Sequence, residues 1–499
     1  MTDYRSHRSE EGYQMGKTWS IALAIGLLGT GVLAGVPAGA SPGGVRWGPC
    51  PADAAAPGLE CSTIKVPLDH RAPEGQQIDV AISRLASKNP EKRRGILLTN
   101  PGGPSPGLKF PAELAAAKLP QSVLDSYDLI GFDPRGFGHS TPVTCDLTPE
   151  QQAVGNVPPY ARNAADVAKR AEQSKAIAQQ CATSKTSWLL PHISTADTAR
   201  DMDRIRAALG EEKTSFAGYS WGTYLGAVYT TLFPQRGDRI ILDSNVHPTG
   251  WDYANDRLYA QGFDDRFPDF AKFAAAQDGT YHLGSTPEKI TAKYFELAGR
   301  LDRKPEQDVD GATFRMLTYG FLFSNAGMPL VAKIWQAIDT GQPLPPIGSG
   351  EGTVSNVDNM ISGRYYTICA DSRWPRSVAT YQATVALDRL RHPMFGAAGA
   401  NVQPCAFWQS PAAPPVRVGD QGPSNVLMLQ NERDPATPLA GAKRLRQAFG
   451  DRARMVTVDA GGHGVYPYVG NHCADTAATA FLTTGQRPER DLACAAEPR

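Results

Sequence analysis

The five residues Gly218-Tyr219-Ser220-Trp221-Gly222 have the form G-x-S-x-G. The short run at 214–217 before them predicts a buried strand, and residues 223–233 after them predict a helix that ends before a proline. A strand, a sharp turn and a helix in this order form a nucleophile elbow, in which flanking glycines permit a strained turn that exposes the serine hydroxyl. The pentapeptide alone would also fit a glycine-rich turn, but its neighbours predict that Ser220 is a nucleophile.

The segments around this motif alternate between strand and helix patterns. Two alternating runs, 62–67 and 78–82, predict an antiparallel hairpin. Runs rich in apolar residues, which are typical of strands buried on both faces of a sheet, lie at 95–99, 127–132, 239–243, 426–429 and 455–458. Residues 195–209 predict a helix capped by Thr195. This alternation predicts a mostly parallel α/β sheet flanked by helices.

Residues 250–424 carry a different pattern, with aromatic-rich helical segments such as 263–275 and 313–323. The sheet pattern returns after this stretch, which favours an insertion over a second domain joined in tandem. We therefore predict an α/β-hydrolase fold. Its core comprises 41–249 and 425–499, and a helical cap is inserted between the two parts.

Two later residues complete a catalytic set with the serine. In this fold the nucleophile is followed along the chain by an acid and then by a histidine, each after a late strand. Asp434 and His463 occupy these places, so we predict the triad Ser220, Asp434 and His463, with Glu432 as an alternative acid. His463 would take the serine proton, and Asp434 would orient the imidazole. His139 precedes the serine in the chain, which is the wrong order for the base.

A glycine-rich loop, Asn100-Pro101-Gly102-Gly103-Pro104, follows the first apolar strand. Glycines at this place free backbone N–H groups to point into a cleft, so the loop predicts an oxyanion hole, although an ordinary loop would also fit. Pro104 has no N–H, which makes Gly103 the better donor. The N–H of Trp221, directly after the nucleophile, is the second predicted donor.

The N-terminus predicts export from the cell. Basic residues precede an apolar run at 21–36, and Ala38-Gly39-Ala40 then forms a small-x-small cleavage site. We predict a signal peptide at 1–40, with Met15 as an alternative start, and a secreted mature chain that has no membrane attachment. A membrane anchor is the competing interpretation, but the run is shorter than the roughly 20 apolar residues that a spanning helix needs.

Eight cysteines in an exported chain most simply form four disulfides. The sequence leaves many pairings open. We predict pairing of sequential couples: Cys50–Cys61, Cys145–Cys181, Cys369–Cys405 and Cys473–Cys494. None of these cysteines has the spacing of a metal site, so we expect neither metal nor cofactor. Basic and acidic residues balance at 50 each, which argues against a nucleic-acid partner, and we expect a monomer.

Together these motifs resemble those of one family, the secreted bacterial tripeptidyl aminopeptidases, which are relatives of the prolyl aminopeptidases. The motifs that carry the resemblance are Asn100-Pro101-Gly102-Gly103-Pro104, Asp133-Pro134-Arg135-Gly136, Gly218-Tyr219-Ser220-Trp221-Gly222-Thr223, Asp434-Pro435-Ala436-Thr437-Pro438 and Gly461-Gly462-His463-Gly464. The resemblance implies an extracellular serine exopeptidase that releases short peptides, often tripeptides, from free N-termini. The chain departs from the family's usual pattern in the glycine loop, which reads Gly103-Pro104-Ser105-Pro106-Gly107 where more glycine is usual, and at Asp243-Ser244-Asn245, where Asp-Gly is commoner.

An exopeptidase must sense the free α-amino group of its substrate, and a carboxylate under the cap is the simplest sensor. Asp371, in Ile368-Cys369-Ala370-Asp371, is the first candidate, and Asp264 and Asp265 are further ones. Other functions remain open at this point. An esterase, a lipase or an endopeptidase would use the same triad, and a binding protein on an inactive hydrolase scaffold would need none of it.

Overall fold

The computed structural model describes residues 44–153, 157–346, 356–408 and 415–497. The predicted signal peptide at 1–40 and the alternative start at Met15 lie outside these residues. Within the described ranges, no helix is both long and apolar enough to cross a membrane.

Among the described residues, ten strands form a single sheet. In chain order they are β1 (Gly48–Pro49), β2 (Leu59–Pro67), β3 (Gln77–Leu85), β4 (Gly95–Asn100), β5 (Tyr127–Phe132), β6 (Thr214–Tyr219), β7 (Gly237–Asp243), β8 (Val426–Arg433), β9 (Ala453–Gly461) and β10 (Leu492–Cys494). Their order in space is β1-β2-β3-β5-β4-β6-β7-β8-β9-β10. The pairs β1–β2, β2–β3 and β3–β5 are antiparallel. All the other neighbouring pairs are parallel.

The helices of the same ranges are α1 (Phe110–Ala116), α2 (Gln121–Ser126), α3 (Pro149–Gln152), α4 (Ala164–Thr183), α5 (Thr195–Ala208), α6 (Trp221–Leu232), α7 (Tyr253–Ala276), α8 (Asp278–Tyr281), α9 (Pro287–Arg303), α10 (Gly311–Phe321), α11 (Met328–Thr340), α12 (Val357–Asp371), α13 (Val378–Arg391), α14 (Gly396–Gly399), α15 (Leu439–Phe449) and α16 (His472–Thr484). A mostly parallel sheet flanked by helices is the predicted α/β-hydrolase fold, which is thereby confirmed. Helices α7 to α14 lie between β7 and β8, two strands that are neighbours in the sheet, and we call residues 253–407 the cap. The domain boundaries at 250 and 424 stay a prediction.

Both faces of the sheet are covered by apolar side chains. In β8, Val426 and Met428 belong to the core on one face, whereas Leu427 and Leu429 belong to the core on the other. Successive residues of a strand point to opposite faces, so a strand that is buried on both sides must be apolar throughout. This explains the runs rich in apolar residues in the sequence.

Several elements differ from the sequence prediction. Helix α5 is capped by Ser194, whose hydroxyl accepts the N–H of Asp197, and not by Thr195. Helix α4 and strand β10 were not predicted. The exposed face of α4 is so polar that its apolar stripe is weak, and β10 is too short to show a period.

The loop after β5 is held by hydrogen bonds of Asp133 and by an ion pair of Arg135. The Asp133 carboxylate accepts backbone N–H groups of Gly107, Leu108 and His139 at 2.8, 3.1 and 2.8 Å. The Arg135 guanidinium, fully buried, pairs with Asp201 at 2.6 Å. Each charged group thus finds a partner outside its own motif, because the loop is buried between neighbouring elements.

Four disulfides join the sequential couples that the sequence predicts: Cys50–Cys61, Cys145–Cys181, Cys369–Cys405 and Cys473–Cys494. The third pair links helix α12 to a later part of the cap. The fourth pair links α16 to the edge strand β10. All eight cysteines are therefore paired, and none is a free thiol.

Helix α12 is the part of the cap that contacts the core most closely through polar groups. The Asn359 side chain donates to the carbonyls of Gly136 and Val143, both at 2.8 Å, and accepts the N–H of Gly138 at 2.8 Å. A side chain on Gly363 would lie 2.6 Å from the Phe137 ring, so glycine allows the helix to approach this loop. Asn359 thereby satisfies three backbone groups of a core loop from the cap.

We expect Asn359→Ala to lower the free energy of unfolding by about 2–4 kcal/mol, because the N–H of Gly138 and the carbonyl of Val143 lose this partner and the carbonyl of Gly136 keeps only the N–H of Val143. Asn356→Ala serves as the matched control. Asn356 is the exposed N-cap of the same helix, accepts the N–H of Asn359 at 2.9 Å, and should cost only about 1 kcal/mol. Urea denaturation of both variants measures the difference. An equal loss in the two variants would contradict this account of how the cap is docked.

Candidate active site

The serine at the predicted elbow lies in a strained turn between β6 and α6. Ser220 has φ 54° and ψ −123°, a conformation that few non-glycine residues adopt. Its N–H donates to the main-chain carbonyl of Asp243 at 3.0 Å. A side chain on Gly218 would lie 2.4 Å from the carbonyl oxygen of Gly222. Gly218 is therefore required by the close approach across the turn, and Gly222 by Asn100, whose side-chain oxygen would lie 2.8 Å from a side chain there.

The glycine-rich loop after β4 lies directly against this elbow. A side chain on Gly102 would lie 2.6 Å from Cβ of Ser220 and 3.3 Å from the backbone nitrogen of Trp221. Among the described residues, none accepts a hydrogen bond from the N–H of Gly103 or of Trp221. The glycine-rich loop thus lies against the elbow at Gly102, and the N–H groups of the two predicted oxyanion donors are unused by the described part of the protein.

The predicted acid and base are hydrogen-bonded to each other. His463 Nδ1 lies 3.0 and 2.9 Å from the two carboxylate oxygens of Asp434. The same carboxylate accepts the N–H groups of Ala436 and Thr437, at 2.8 and 2.9 Å, and the Thr437 hydroxyl at 3.0 Å. The side chain of Asp434 is fully buried, whereas that of His463 is 18% exposed. Asp434 is therefore fixed by the turn that follows it, and its partner imidazole reaches the surface of the site.

The loop that carries His463 is fastened on several sides. The Asn431 amide donates to the carbonyls of Gly462 and Gly464, at 2.9 and 3.0 Å. The N–H of His463 donates at 2.7 Å to the carbonyl of Phe323, a cap residue whose ring packs edge-on against the imidazole. Core and cap thus share in holding the imidazole.

Asp243, at the end of β7, connects the serine to this loop, and the sequence prediction assigned it no role. Its carboxylate accepts the N–H groups of Val465 and Tyr466, at 2.9 and 2.8 Å, while its carbonyl accepts the N–H of Ser220. The neighbouring Ser244 hydroxyl donates to this carboxylate at 3.0 Å and accepts the N–H of Gly464 at 2.8 Å. A polar pair at the end of a buried parallel strand, next to the nucleophile strand, was the signal in the sequence.

Two carboxylates act on the charge of the imidazole. Burial opposes the charged form of His463, but the charge and hydrogen bond of Asp434, together with the charge of Asp243, outweigh it. The pKa of His463 therefore lies above its ordinary value of 6.5. Such surroundings stabilise an imidazolium, which is the state that a general base reaches after it has taken a proton.

Several known proteins resemble this chain over most of its length. A family model described as TAP-like protein matches residues 392–494. A tripeptidyl aminopeptidase from Streptomyces lividans is 34% identical over 479 residues, which cover 91% of this chain and 88% of that protein. The chain belongs to the tripeptidyl aminopeptidase family. The predicted class of enzyme, a serine hydrolase of the aminopeptidase type, is thereby confirmed.

Two further relatives of this chain are named for different activities. The serine protease Hip1 of Mycobacterium tuberculosis strain H37Rv is 28% identical over 483 residues, covering 90% of this chain and 91% of that protein. Carboxylesterase B of the same strain is 28% identical over 458 residues, covering 87% of this chain and 86% of that protein.

The three acids predicted to bind the substrate amine lie in two different places. Asp371 is the last residue of α12, and its carboxylate accepts the N–H and hydroxyl of Thr195 at 2.8 and 2.6 Å. Asp264 pairs with His392 at 2.7 Å, and Asp265 accepts from Gln261 at 3.2 Å. Asp264 and Asp265 border an open groove that also contains Glu432, the alternative catalytic acid, whereas Asp434 is the acid that contacts His463.

The buried carboxyl groups of this aminopeptidase-family protein predict how its stability depends on pH. Burial raises the pKa of Asp243, Asp256 and Asp371 from 3.8 to about 7 in each case. A carboxyl whose pKa is higher in the folded than in the unfolded chain holds its proton more tightly when folded. Its stabilising contribution is therefore complete below the unfolded value and is lost as pH rises toward 7. The raised pKa of His463 acts in the same direction.

We expect the free energy of unfolding to be larger at about pH 5 than at about pH 8, with most of the fall before neutrality. Denaturant titrations at a series of pH values measure this difference. Asp371→Asn, which removes one of the three groups, should reduce the difference. A free energy of unfolding that increases from pH 5 to pH 8 would contradict the assignment.

Proposed function

We propose that this protein is a secreted serine exopeptidase that releases tripeptides from peptides with free N-termini, using Ser220, His463 and Asp434. The observation that carries the proposal is the pair of contacts from His463 Nδ1 to Asp434, at 3.0 and 2.9 Å, at the sheet edge that also holds the elbow. The substrate class rests on the tripeptidyl aminopeptidases that the chain resembles over most of its length.

The first half of the reaction transfers the acyl group to the serine. Because Nδ1 of His463 is committed to Asp434, Nε2 is the nitrogen left to take the Ser220 proton. The serine oxygen then bonds to the carbonyl carbon, and the carbonyl π electrons move to its oxygen. The N–H groups of Gly103 and Trp221 stabilise this oxyanion. When the C–N bond breaks, the imidazolium returns the proton to the leaving amine.

The second half releases the short peptide. Water gives a proton to His463 while its oxygen bonds to the acyl carbon, and the oxyanion forms again at the same two N–H groups. The bond to Ser220 then breaks, and the serine oxygen recovers the proton from His463. Asp434 accepts the Nδ1–H of His463 in both halves and stabilises each imidazolium. No cofactor takes part in either half.

We place the substrate amine at Asp371. Asp371 lines a partly enclosed cavity of about 280 Å³ together with Tyr224 of helix α6, the helix that begins at the elbow. The Thr195 hydroxyl donates to Asp371 and accepts the indole N–H of Trp221 at 3.1 Å, which links this carboxylate to the residue after the nucleophile. The two hydrogen bonds from Thr195 leave lone pairs that can accept from an ammonium group.

Secretion rests on the cysteines and on the predicted signal peptide. Disulfides persist in oxidising compartments, and all eight cysteines of this chain are paired. A cytosolic enzyme of this size would rarely carry four disulfides. Mass analysis of the mature N-terminus from culture medium would test cleavage after Ala40.

A carboxylesterase is the second candidate function. The same three residues would cleave an ester, and one relative over most of the chain is named Carboxylesterase B. The two functions differ in the need for a free amine. A peptide substrate would pair its amino group with Asp371, whereas an ester without an amino group would make no such contact. A survey of peptide amides and simple esters separates them.

Substitutions of the catalytic residues test the proposed mechanism. We expect Ser220→Ala to abolish hydrolysis and labelling by a fluorophosphonate without loss of folding. Asp434→Asn should lower kcat by about 10⁴-fold, because the wrong imidazole tautomer would result. Glu432→Gln is the matched control and should keep near-normal activity. Loss of activity in Glu432→Gln with full activity in Asp434→Asn would move the acid to Glu432.

Substrates with and without a free amino group test the proposed specificity. A tripeptidyl chromogenic amide with a free N-terminus should be hydrolysed well, and its N-acetylated form poorly, because a site that pairs with an ammonium leaves its carboxylate unpaired without it. In Asp371→Asn the rate for the free amine should fall toward that of the acetylated form. Similar kcat/KM values for both substrates in the wild type would show an endopeptidase or esterase instead.

A further inference from the structure

The peptide that carries the Gly103 N–H is held by a serine of its own loop. The Ser105 hydroxyl donates to the carbonyl of Gly102 at 3.0 Å. This carbonyl and the N–H of Gly103 belong to one peptide group and point in opposite directions, because the group is planar. The hydrogen bond from Ser105 therefore sets the direction of the Gly103 N–H.

The next peptide group is held from the cap. Arg364, on helix α12, donates from Nη1 to the carbonyl of Gly103 at 2.9 Å. This arginine is only 2% exposed, and its guanidinium lies over the Trp251 ring, 5.2 Å from the ring centre. A hydrogen bond from a charged donor is stronger than one between neutral groups. The second peptide group beside Gly103 is thus fixed by a buried, charged side chain of the cap.

Other buried residues fix the arginine in turn. Asp256 is completely buried and close enough to act on the charge of Arg364, and it accepts the indole N–H of Trp251 at 2.7 Å. The amide of Gln403 donates to the other carboxylate oxygen of Asp256. The indole of Trp251 therefore contacts both the Asp256 carboxyl group and the Arg364 guanidinium. Such a network leaves the guanidinium little freedom to move.

Glycine needs these partners more than other residues would. Gly103 has φ 103°, and a side chain there would lie 2.6 Å from the backbone nitrogen of Ser105, so no other residue fits. Glycine has the widest choice of backbone conformations, and nothing in its own structure favours the one that turns its N–H toward the serine. The direction must be imposed by contacts with neighbouring groups.

We propose that Ser105 and Arg364 are positioning residues of the oxyanion hole, which hold the two peptide groups beside Gly103 so that its N–H points at the reacting carbonyl oxygen. Neither side chain touches the substrate in this proposal. It rests on the proposed use of Ser220 and Gly103, but not on the identity of the acyl group. It also makes the cap a contributor to the chemical step through Arg364.

The test uses the full-length protein with Ser105→Ala, Arg364→Lys and Arg364→Gln, and Arg391→Gln, an exposed arginine of the cap, as the matched control. Removing one oxyanion donor lowers kcat by about 10²–10³-fold, so a misdirected donor should lower it by about 10- to 100-fold. We expect this loss in Ser105→Ala and Arg364→Gln, with KM changed less than about twofold. Arg364→Lys should lose less than Arg364→Gln, because it keeps a charged donor.

Two further measurements separate positioning from a merely structural role. The affinity for a peptide aldehyde, whose adduct carries the oxyanion, should fall by the same factor as kcat, while the affinity for the product peptide stays the same. Thermal melting identifies any variant that fails to fold. If the arginine variants fail to fold, Ser105→Ala still tests the proposal, because it removes only one hydroxyl. Unchanged kcat in a folded Ser105→Ala and Arg364→Gln would overturn the proposal, and so would a change confined to KM.

The design also distinguishes this proposal from the proposed function. Each variant is assayed on a tripeptidyl amide and a p-nitrophenyl ester, and by the rate of fluorophosphonate labelling of Ser220. If the wild type cleaves the ester but not the amide, the exopeptidase function is wrong, and the labelling and ester rates still test the two positioning residues. If the variants are labelled as fast as the wild type, the positioning role is wrong whatever the substrate.

Discussion

The candidate site depends on the hydrogen bonds that the buried side chain of Asp243 accepts. Burying a carboxylate is costly unless hydrogen bonds compensate, and here the donors are the N–H groups of Val465 and Tyr466 and the hydroxyl of Ser244. The main-chain carbonyl of the same residue holds the N–H of Ser220. The nucleophile and the loop of the base are therefore attached to one residue at the end of β7. A small shift of either group would slow the reaction. The common attachment to Asp243 therefore helps to keep the nucleophile and the base in the positions that the reaction needs.

Helix α12 extends the same principle to the cap. Asn359 satisfies backbone groups of the loop after β5, Arg364 holds the carbonyl of Gly103, and Asp371 bonds to the first residue of α5. These contacts are buried and lie along the length of one helix, and the Cys369–Cys405 disulfide ties that helix to a later part of the cap. The cap is thus fastened to the core around the site and does more than cover it.

Local order in the sequence was sufficient to predict the elbow, the residues of the His463–Asp434 pair and eight of the ten strands, because each follows from a run of neighbouring residues. Helix α4 and strands β1 and β10, which were not predicted, have weak or short patterns. The roles of Asp243 and Arg364 could not be predicted, because they depend on partners more than 200 residues away in the chain. The cap of α5 was misassigned by one residue, since Ser194 and Thr195 are equally suited to it.

The two segments in which the sequence departs from the pattern it resembles each contain a serine with the same kind of contact. Ser244 donates to Asp243 and accepts from Gly464, beside the base, while Ser105 donates to Gly102, beside the predicted oxyanion donor. Glycine at either position would leave a backbone group of the site without that partner and would widen the range of backbone conformations. In this chain the hydroxyl groups limit movement on both sides of Ser220. The departures therefore do not weaken the catalytic assignment, because each adds a fixed contact to a loop that must hold its geometry during the reaction.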